Sequence, residues 1–370
     1  MEVNKVYRGD AESVLKEFRV NCINCTVTSP PYYKLRDYQV KGQIGLEDNF
    51  FDYLERLRLV FDQVYRVTMD DGSLWVVIGD TYAKQGCCGN DGKNKSKYYD
   101  VNDVKIQRKI PMGFKAKELM GVPWRVAFML QDMGWYLRND IIWSKLSVLP
   151  ESVKDRFTKA HEYVFFFTKS EKYYFDQDAV KEDISYSSYV RLMQDIENQK
   201  GSDRAYEGVN NKQMKAVFKG NRKEFRGGGK YTKGQSMNND TFVENEVKGN
   251  NDKLLAKNGT NIKGHSGYKN AAGEYVVDVL TMKRNRRTVW EVSTEGSKLA
   301  HYATFPQRLA EICVLAGCPS EGVVLDPFFG TGTTGLVSLG VNRKYVGIDL
   351  KEEYVEMARK RIQSKFGLIV

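Results

Sequence analysis

Two short stretches of this chain hold residue types that chemistry can use. The first is Thr28-Ser29-Pro30-Pro31-Tyr32-Tyr33. Consecutive prolines force extended backbone and remove two amide donors, which leaves a rigid row of carbonyl acceptors. A serine hydroxyl and aromatic faces stand beside that row. Such a group suits a planar ring bearing an amine: carbonyl and hydroxyl accept from the NH2 while the ring stacks. A proline-terminated strand with two core tyrosines would leave the same letters. The second stretch is Asp326-Pro327-Phe328-Phe329-Gly330-Thr331-Gly332-Thr333-Thr334. Glycines let the backbone approach a ligand, and a helix opening behind them offers free amide hydrogens and a positive dipole end. Asp349 follows about 20 residues later, a place from which a carboxylate reaches ribose hydroxyls. Together these features point to a nucleoside cofactor. The spacing is not G-x-G-x-x-G and no Walker lysine follows, which disfavours a dinucleotide or a nucleoside triphosphate.

The elements that must position these residues follow from hydrophobic periodicity. Val3–Tyr7 predicts a strand, Ala11–Phe18 an amphipathic helix, and Cys22–Thr28 a β-branched strand that stops at the prolines. Phe50, Leu54, Leu57, Phe61 and Val64 recur at helical spacing, and Ser73–Ile78 is a continuous apolar strand. This is the rhythm of a parallel sheet covered by helices. Lys84 to about Pro111 is polar and reads as a long loop. A helix (Trp124–Asp132) and strands at Asn139–Trp143 and Tyr163–Phe167 come next. After Trp290 the pattern returns: helix Pro306–Ala316, strand Val323–Leu325, helix Thr333–Leu339, strand Tyr345–Ile348 and a helix from Glu352. The expected fold is α/β, a Rossmann-like sheet with helices on both faces, built from residues 1–175 and 299–370. Residues 176–298 are the expected insertion.

Charge marks that insertion. The net charge is +10, and residues 211–290 contain 17 Lys and Arg against 7 Asp and Glu, so this stretch alone matches the excess. A concentrated basic segment is the footprint of a polyanion partner, although a solvated loop region would look similar. Lys283, Arg284, Arg286 and Arg287 form its densest cluster. No run reaches the roughly 18 apolar residues of a membrane span, and Met1–Asp10 lacks an apolar signal core, so a cytoplasmic protein is expected. Cys22 and Cys25 have C-x-x-C spacing and Cys87-Cys88 could complete a zinc site. The first pair falls on a strand without the turn of a zinc knuckle, so reduced thiols and no metal are expected.

The motifs carry a family resemblance. Ser29-Pro30-Pro31-Tyr32 resembles the catalytic motif of amino-methylating DNA methyltransferases, Asp326–Thr334 looks like their cofactor motif, and His301-Tyr302-Ala303-Thr304-Phe305-Pro306 resembles the helix-capping segment before it. The order of catalytic motif, basic insert and cofactor motif is similar to the permuted β class, whose target-recognition domain sits where residues 176–298 sit here. The tract Pro150 to Tyr163 resembles cytosine-N4 members.

This resemblance implies S-adenosylmethionine as cofactor and double-stranded DNA as partner, in a site-specific restriction–modification context with a cognate endonuclease. It also implies roles. Ser29, Pro30, Pro31 and Tyr32 would hold a flipped base and its amine. Asp326, Pro327, Phe328, Gly330, Gly332 and Thr333 would line the cofactor pocket with Thr28, His301, Thr304, Phe305 and Pro306. Asp349 would bind ribose and Asp10 the adenine. Asp80 would orient Ser29, accept a proton, or simply cap a turn. A sulfonium methyl needs only an amine lone pair held in line, with no covalent intermediate. Cytosine-C5 chemistry would need a Pro-Cys nucleophile, and the chain has Cys318-Pro319 instead. Adenine-N6 relatives usually carry Asp or Asn at the place of Ser29, which favours cytosine N4 and leaves adenine N6 as the alternative. Glutamine-methylating enzymes place the two motifs in the reverse order. A binding protein that kept only the fold would not require either motif intact.

Overall fold

The structure, a computed structural model, describes residues 1–83, 86–88, 106–148, 151–184, 267–269, 275–277, 283–293 and 305–367. The chain divides into two compact units, one formed by Met1–Val180 with Arg287–Val370 and the other by Lys181–Arg286.

The first unit is built on an eight-stranded sheet. Its strands are β1 (Lys5–Arg8), β2 (Ile23–Thr28), β3 (Thr68–Ile78), β6 (Tyr136–Ser144), β7 (His161–Thr168), β12 (Val289–Glu291), β13 (Val323–Asp326) and β14 (Lys344–Asp349). Their order across the sheet is β1-β14-β13-β2-β3-β7-β6-β12. The helices are α1 (Ala11–Lys16), α2 (Phe50–Val67), α3 (Val122–Asp132), α4 (Gln307–Gly317), α5 (Thr333–Gly340) and α6 (Glu352–Phe366). None of them is long and apolar enough to cross a membrane. Outside the large sheet, β4 (Gly86–Cys88) pairs with β5 (Ile106–Arg108) as an antiparallel ribbon. In the second unit β8 (Glu182–Asp183) pairs with β11 (Lys283–Arg284), and β9 (Gly267–Lys269) with β10 (Tyr275–Val277).

Alternation along β3 shows how both faces are covered. Leu74, Val76 and Ile78 enter the core beneath α1, α2 and α3. Trp75 and Val77 point the other way, into a core completed by α4. Strands buried on both faces need helices on both. Helix α2 begins where the Asn49 side chain accepts the Phe51 amide hydrogen at 3.1 Å. Phe50, Tyr53, Leu57, Phe61 and Val64 form its buried stripe, which is the periodicity that predicts it.

Four expectations need correction. The sheet is mixed, because β7 is antiparallel to β3 and to β6. Among the described residues no helix stands between β6 and β7, and without a crossover a returning strand runs antiparallel. Strand β3 begins at Thr68, earlier than Ser73, since exposed Asp70 and Asp71 near its start interrupt the apolar run. The first strand lies two residues later than expected, after a left-handed Asn4 with φ of 58°. Finally, Val289–Glu291 joins the large sheet beside β6, with Trp290 and Val292 buried there. These residues lie inside 176–298 but belong to the first unit.

Candidate active site

Strands β2 and β13 are parallel neighbours, with Val324 opposite Cys25 and Leu325 opposite Thr26. From this pair the chain runs one way to β14 and the other way to β3. A crevice opens at the carboxyl ends of strands where the order diverges in this manner. Both sequence motifs begin there, one at each strand end.

A cavity of about 130 Å³, partly open to solvent, occupies that crevice. Asp10, Ser29, Pro31, Pro327, Phe328, Gly330 and Asp349 all line it. The chain therefore brings together residues separated by more than 300 positions. Gly330 has φ of 52°, and a Cβ built on it would project into open space. Its left-handed backbone is the reason a glycine stands at this turn. Asp349 receives the Gly330 amide on Oδ2 and the Lys351 amide on Oδ1, both at 2.8 Å. Burial raises its pKa, and those amide donors oppose the rise. Asp10 accepts the Ser13 amide and hydroxyl on Oδ1 at 3.0 Å, so it also caps α1.

Several residues expected in the pocket stand behind it. Asp326 is 1% exposed and does not face the cavity. Its Oδ1 accepts from Thr28 Oγ1 at 2.7 Å and from the Phe328 amide at 3.1 Å, and its Oδ2 from Thr334 Oγ1 at 2.7 Å. Burial pushes its pKa up to about 6 against the pull of these three donors. Asp326 and Thr28 are thus a strut joining β13 to β2. Gly332 and Thr333 begin α5 and lie outside the lining. A Cβ on Gly332 would meet the Ala358 Cβ at 2.9 Å, so this glycine serves the packing of α5 on α6. Phe305 packs against the core under α4, and Pro306 caps that helix. His301 and Thr304 lie outside the described residues.

The turn from Ser29 to Tyr32 also differs in detail from a bare row of acceptors. Tyr53 donates its hydroxyl to the Pro31 carbonyl at 2.9 Å. Pro30 is buried, and Tyr32 donates to Glu162 Oε2 at 2.7 Å. Asp80 takes the turn-capping role, accepting from the Thr81 amide at 2.8 Å and the first amide of α3, Val122, at 3.0 Å. Its other oxygen lies 3.8 Å from Lys159. Cys22 and Cys25 do not converge, and the side chains of Cys87 and Cys88 lie outside the described residues. Cys22 packs on one face of the sheet and Cys25 is buried on the other, as residues three apart on an extended chain must be. Burial raises the thiol pKa of Cys25 and Cys313, and that of Cys318 to about 12.

Sequence reasoning missed two groups of residues. Tyr38, Val40, Gln43 and Ile44 close one wall of the cavity from a loop without periodicity. Arg56 anchors that loop, donating to the Gly42 and Gln43 carbonyls at 2.5 and 2.7 Å and to Glu47 at 3.0 Å. Lys145 and Glu162 lie near the turn from Ser29 to Tyr32: Glu162 falls in the tract from Pro150 to Tyr163 without a role assigned to it, and nothing in the spacing marks Lys145. In the second unit Arg284 is paired with Glu182 at 2.9 Å, and Arg286 lies 4.0 Å from the same carboxylate. Lys283 is exposed, as is Arg287 in the first unit.

Comparison with known proteins agrees with this geometry. A family model described as DNA methylase matches residues 23–360. The Type II methyltransferase M.Cfr9I of Citrobacter freundii is 36% identical over 361 residues, covering 97% of this chain and 88% of that one. M.SmaI of Serratia marcescens is 36% identical over 358 residues, with 97% and 90% covered. Among solved structures, the cytosine-N4-specific PvuII DNA methyltransferase has a similar fold, with a TM-score of 0.52 at 17% identity over 96% of this chain and 89% of that one. The chain belongs to the N6/N4 family of DNA methylases, enzymes that methylate amino groups of DNA bases with S-adenosylmethionine as donor.

Proposed function

We propose that this chain methylates N4 of cytosine at one short sequence in duplex DNA, as the modification partner of a restriction endonuclease. The observation that carries this reading is Ser29 on the wall of the same cavity as Asp10, Phe328 and Asp349. The cofactor fits the residues present. Asp349 offers a fixed carboxylate for ribose hydroxyls, Phe328 an apolar face, Gly330 a wall without a side chain, and Asp10 its remaining oxygen for the adenine amine. When bound, S-adenosylmethionine supplies an electrophilic methyl group.

The chain's own residues do the rest. An arylamine lone pair is conjugated into its ring, and acceptors that draw the NH2 hydrogens out of plane free it for attack. Ser29 Oγ and the Pro30 carbonyl are those acceptors, and Tyr32 gives the base a face to stack on. Preorganised alignment, not covalent catalysis, supplies the acceleration. Serine at position 29, with the tract from Pro150 to Tyr163, supports cytosine over adenine. The Type II names of M.Cfr9I and M.SmaI support the restriction–modification context. Residues 176–298 read as the target-recognition region, with Lys283 and Arg287 on phosphates.

Mass spectrometry of nucleosides from DNA treated with enzyme and labelled cofactor tests this directly. Label is expected in N4-methylcytosine. Label in N6-methyladenine would overturn the base assignment, and label in 5-methylcytosine the mechanism as well.

A further inference from the structure

Tyr32 closes the catalytic turn, yet its hydroxyl is already committed. It donates to Glu162 Oε2 at 2.7 Å across 130 residues of sequence. The other Glu162 oxygen holds Lys145 Nζ. Glu162 stands on β7 opposite Trp143 of β6, and Lys145 follows the end of β6 with its amide bonded to the Ala160 carbonyl at 2.9 Å. The ammonium also sits 4.6 Å from the Trp143 ring centroid. The Glu162 and Lys145 side chains are only 17% and 22% exposed.

Gly79 shows that the backbone is cut away for this group. A Cβ there would lie 2.9 Å from Tyr32 Cε2 and 3.1 Å from Glu162 Cδ, although no unusual φ demands glycine at that position. Strands β3, β6 and β7 thus converge on one phenol. Burial pushes the phenol's pKa up, and the Ser29 hydroxyl and the Gly79 amide pull the other way. Direction then follows from donor chemistry. Lys145 can only donate, ionised Glu162 can only accept, and Tyr32 therefore gives its proton to Glu162.

We infer that Glu162, held by Lys145, is a positioning residue for methyl transfer: through the Tyr32 hydroxyl it fixes the ring against which the base is aligned. The inference rests on the reading that the target base stacks on Tyr32.

The test uses the full chain, tritiated S-adenosylmethionine and genomic DNA from a methylation-deficient bacterial host. Glu162→Ala should lower kcat by about 10- to 100-fold, the cost of lost alignment. The DNA concentration at half-saturation and the cofactor Kd should stay within about twofold, since alignment of the amine is not binding. Glu162→Gln, which can still accept from Tyr32, should recover most of the rate. In a Tyr32→Phe background, Glu162→Ala should have no further effect, because its action passes through the missing hydroxyl. An unchanged kcat in Glu162→Gln and Glu162→Ala, or losses that multiply in the double variant, would overturn the proposal. Should Glu162→Ala fail to fold, Tyr32→Phe decides: it keeps the ring and loses the hydroxyl, so its kcat should fall by a similar factor, and an unchanged kcat would overturn the proposal. Tyr32→Ala separates the two readings. Full activity there removes the ring from the base and both readings fall, whereas an impaired Tyr32→Ala with an unaffected Glu162 variant sinks only the relay.

Discussion

At the scale of single residues, two aspartates at the ends of neighbouring strands do different work. Asp349 faces the cavity while its own backbone donors hold it still, and the Asp349→Ala variant should therefore lose cofactor affinity. Each charge-assisted bond is worth about 1.5–3 kcal/mol, or about 10- to 150-fold in Kd. Calorimetry with S-adenosylmethionine reads this, and an unchanged Kd would remove Asp349 from the site. Asp326 turns inward, and its carboxyl pKa near 6 has a consequence for stability. The folded state holds this proton more tightly than the unfolded chain, where an aspartate titrates near 4. Its contribution is complete below about pH 4 and is lost as pH rises through about 6, a change worth about 3 kcal/mol. Asp326→Asn should remove that slope. Denaturant unfolding at several pH values would show the variant gaining on the wild type between pH 4 and 7. The sequence marked Asp326 and Asp349 alike as cofactor residues. Only the neighbouring threonines, on two different elements, distinguish the inward-facing aspartate from the one that lines the cavity, and no spacing rule contains that information.

At the scale of elements, the readable features were those with a period. Helix α2 and strands β2, β13 and β14 follow from apolar spacing because each buries a continuous face or stripe. The direction of β7 was not readable, since an antiparallel strand and a parallel one bury the same residues. The cavity wall formed by Tyr38, Val40, Gln43 and Ile44 was equally silent, because a loop fixed by Arg56 needs no period. Turn glycines can be separated by what surrounds them. Gly332 combines φ of 82° with close approach to Ala358. Gly332→Ala should cost about 1–3 kcal/mol through backbone strain, besides any repacking against α6. Thermal or denaturant unfolding checks this, and a variant as stable as the wild type would show that α5 and α6 can part without cost.

At the scale of the whole molecule, charge and architecture divide between the two units. The sheet unit holds both motifs, and the basic excess lies mainly in the other. If the basic region binds phosphates, duplex affinity should fall steeply with salt. Reversing Lys283 and Arg287 should flatten the plot of log affinity against log salt by about 0.9 for each phosphate no longer neutralised. Cofactor binding should be spared. A slope indifferent to these changes would place the phosphate-binding residues elsewhere. Arg284 is the poorer choice for such a test, since its removal also strips Glu182 of a partner.

The pairing of β1 with β14 reaches further than the site it borders. Val6 lies opposite Gly347, and Arg359 of α6 donates to the Val6 carbonyl at 2.9 Å. The first and last elements of the sheet unit are therefore neighbours, and a short bridge between them would cross little space. A gene that joined those ends and opened instead between the two motifs would encode the same strand order with the cofactor half translated first. The crevice depends on which strands are adjacent and is indifferent to which is synthesised earlier. Gene order among enzymes sharing this sheet is thus free to drift while the chemistry at the junction of β2 and β13 stays where it is.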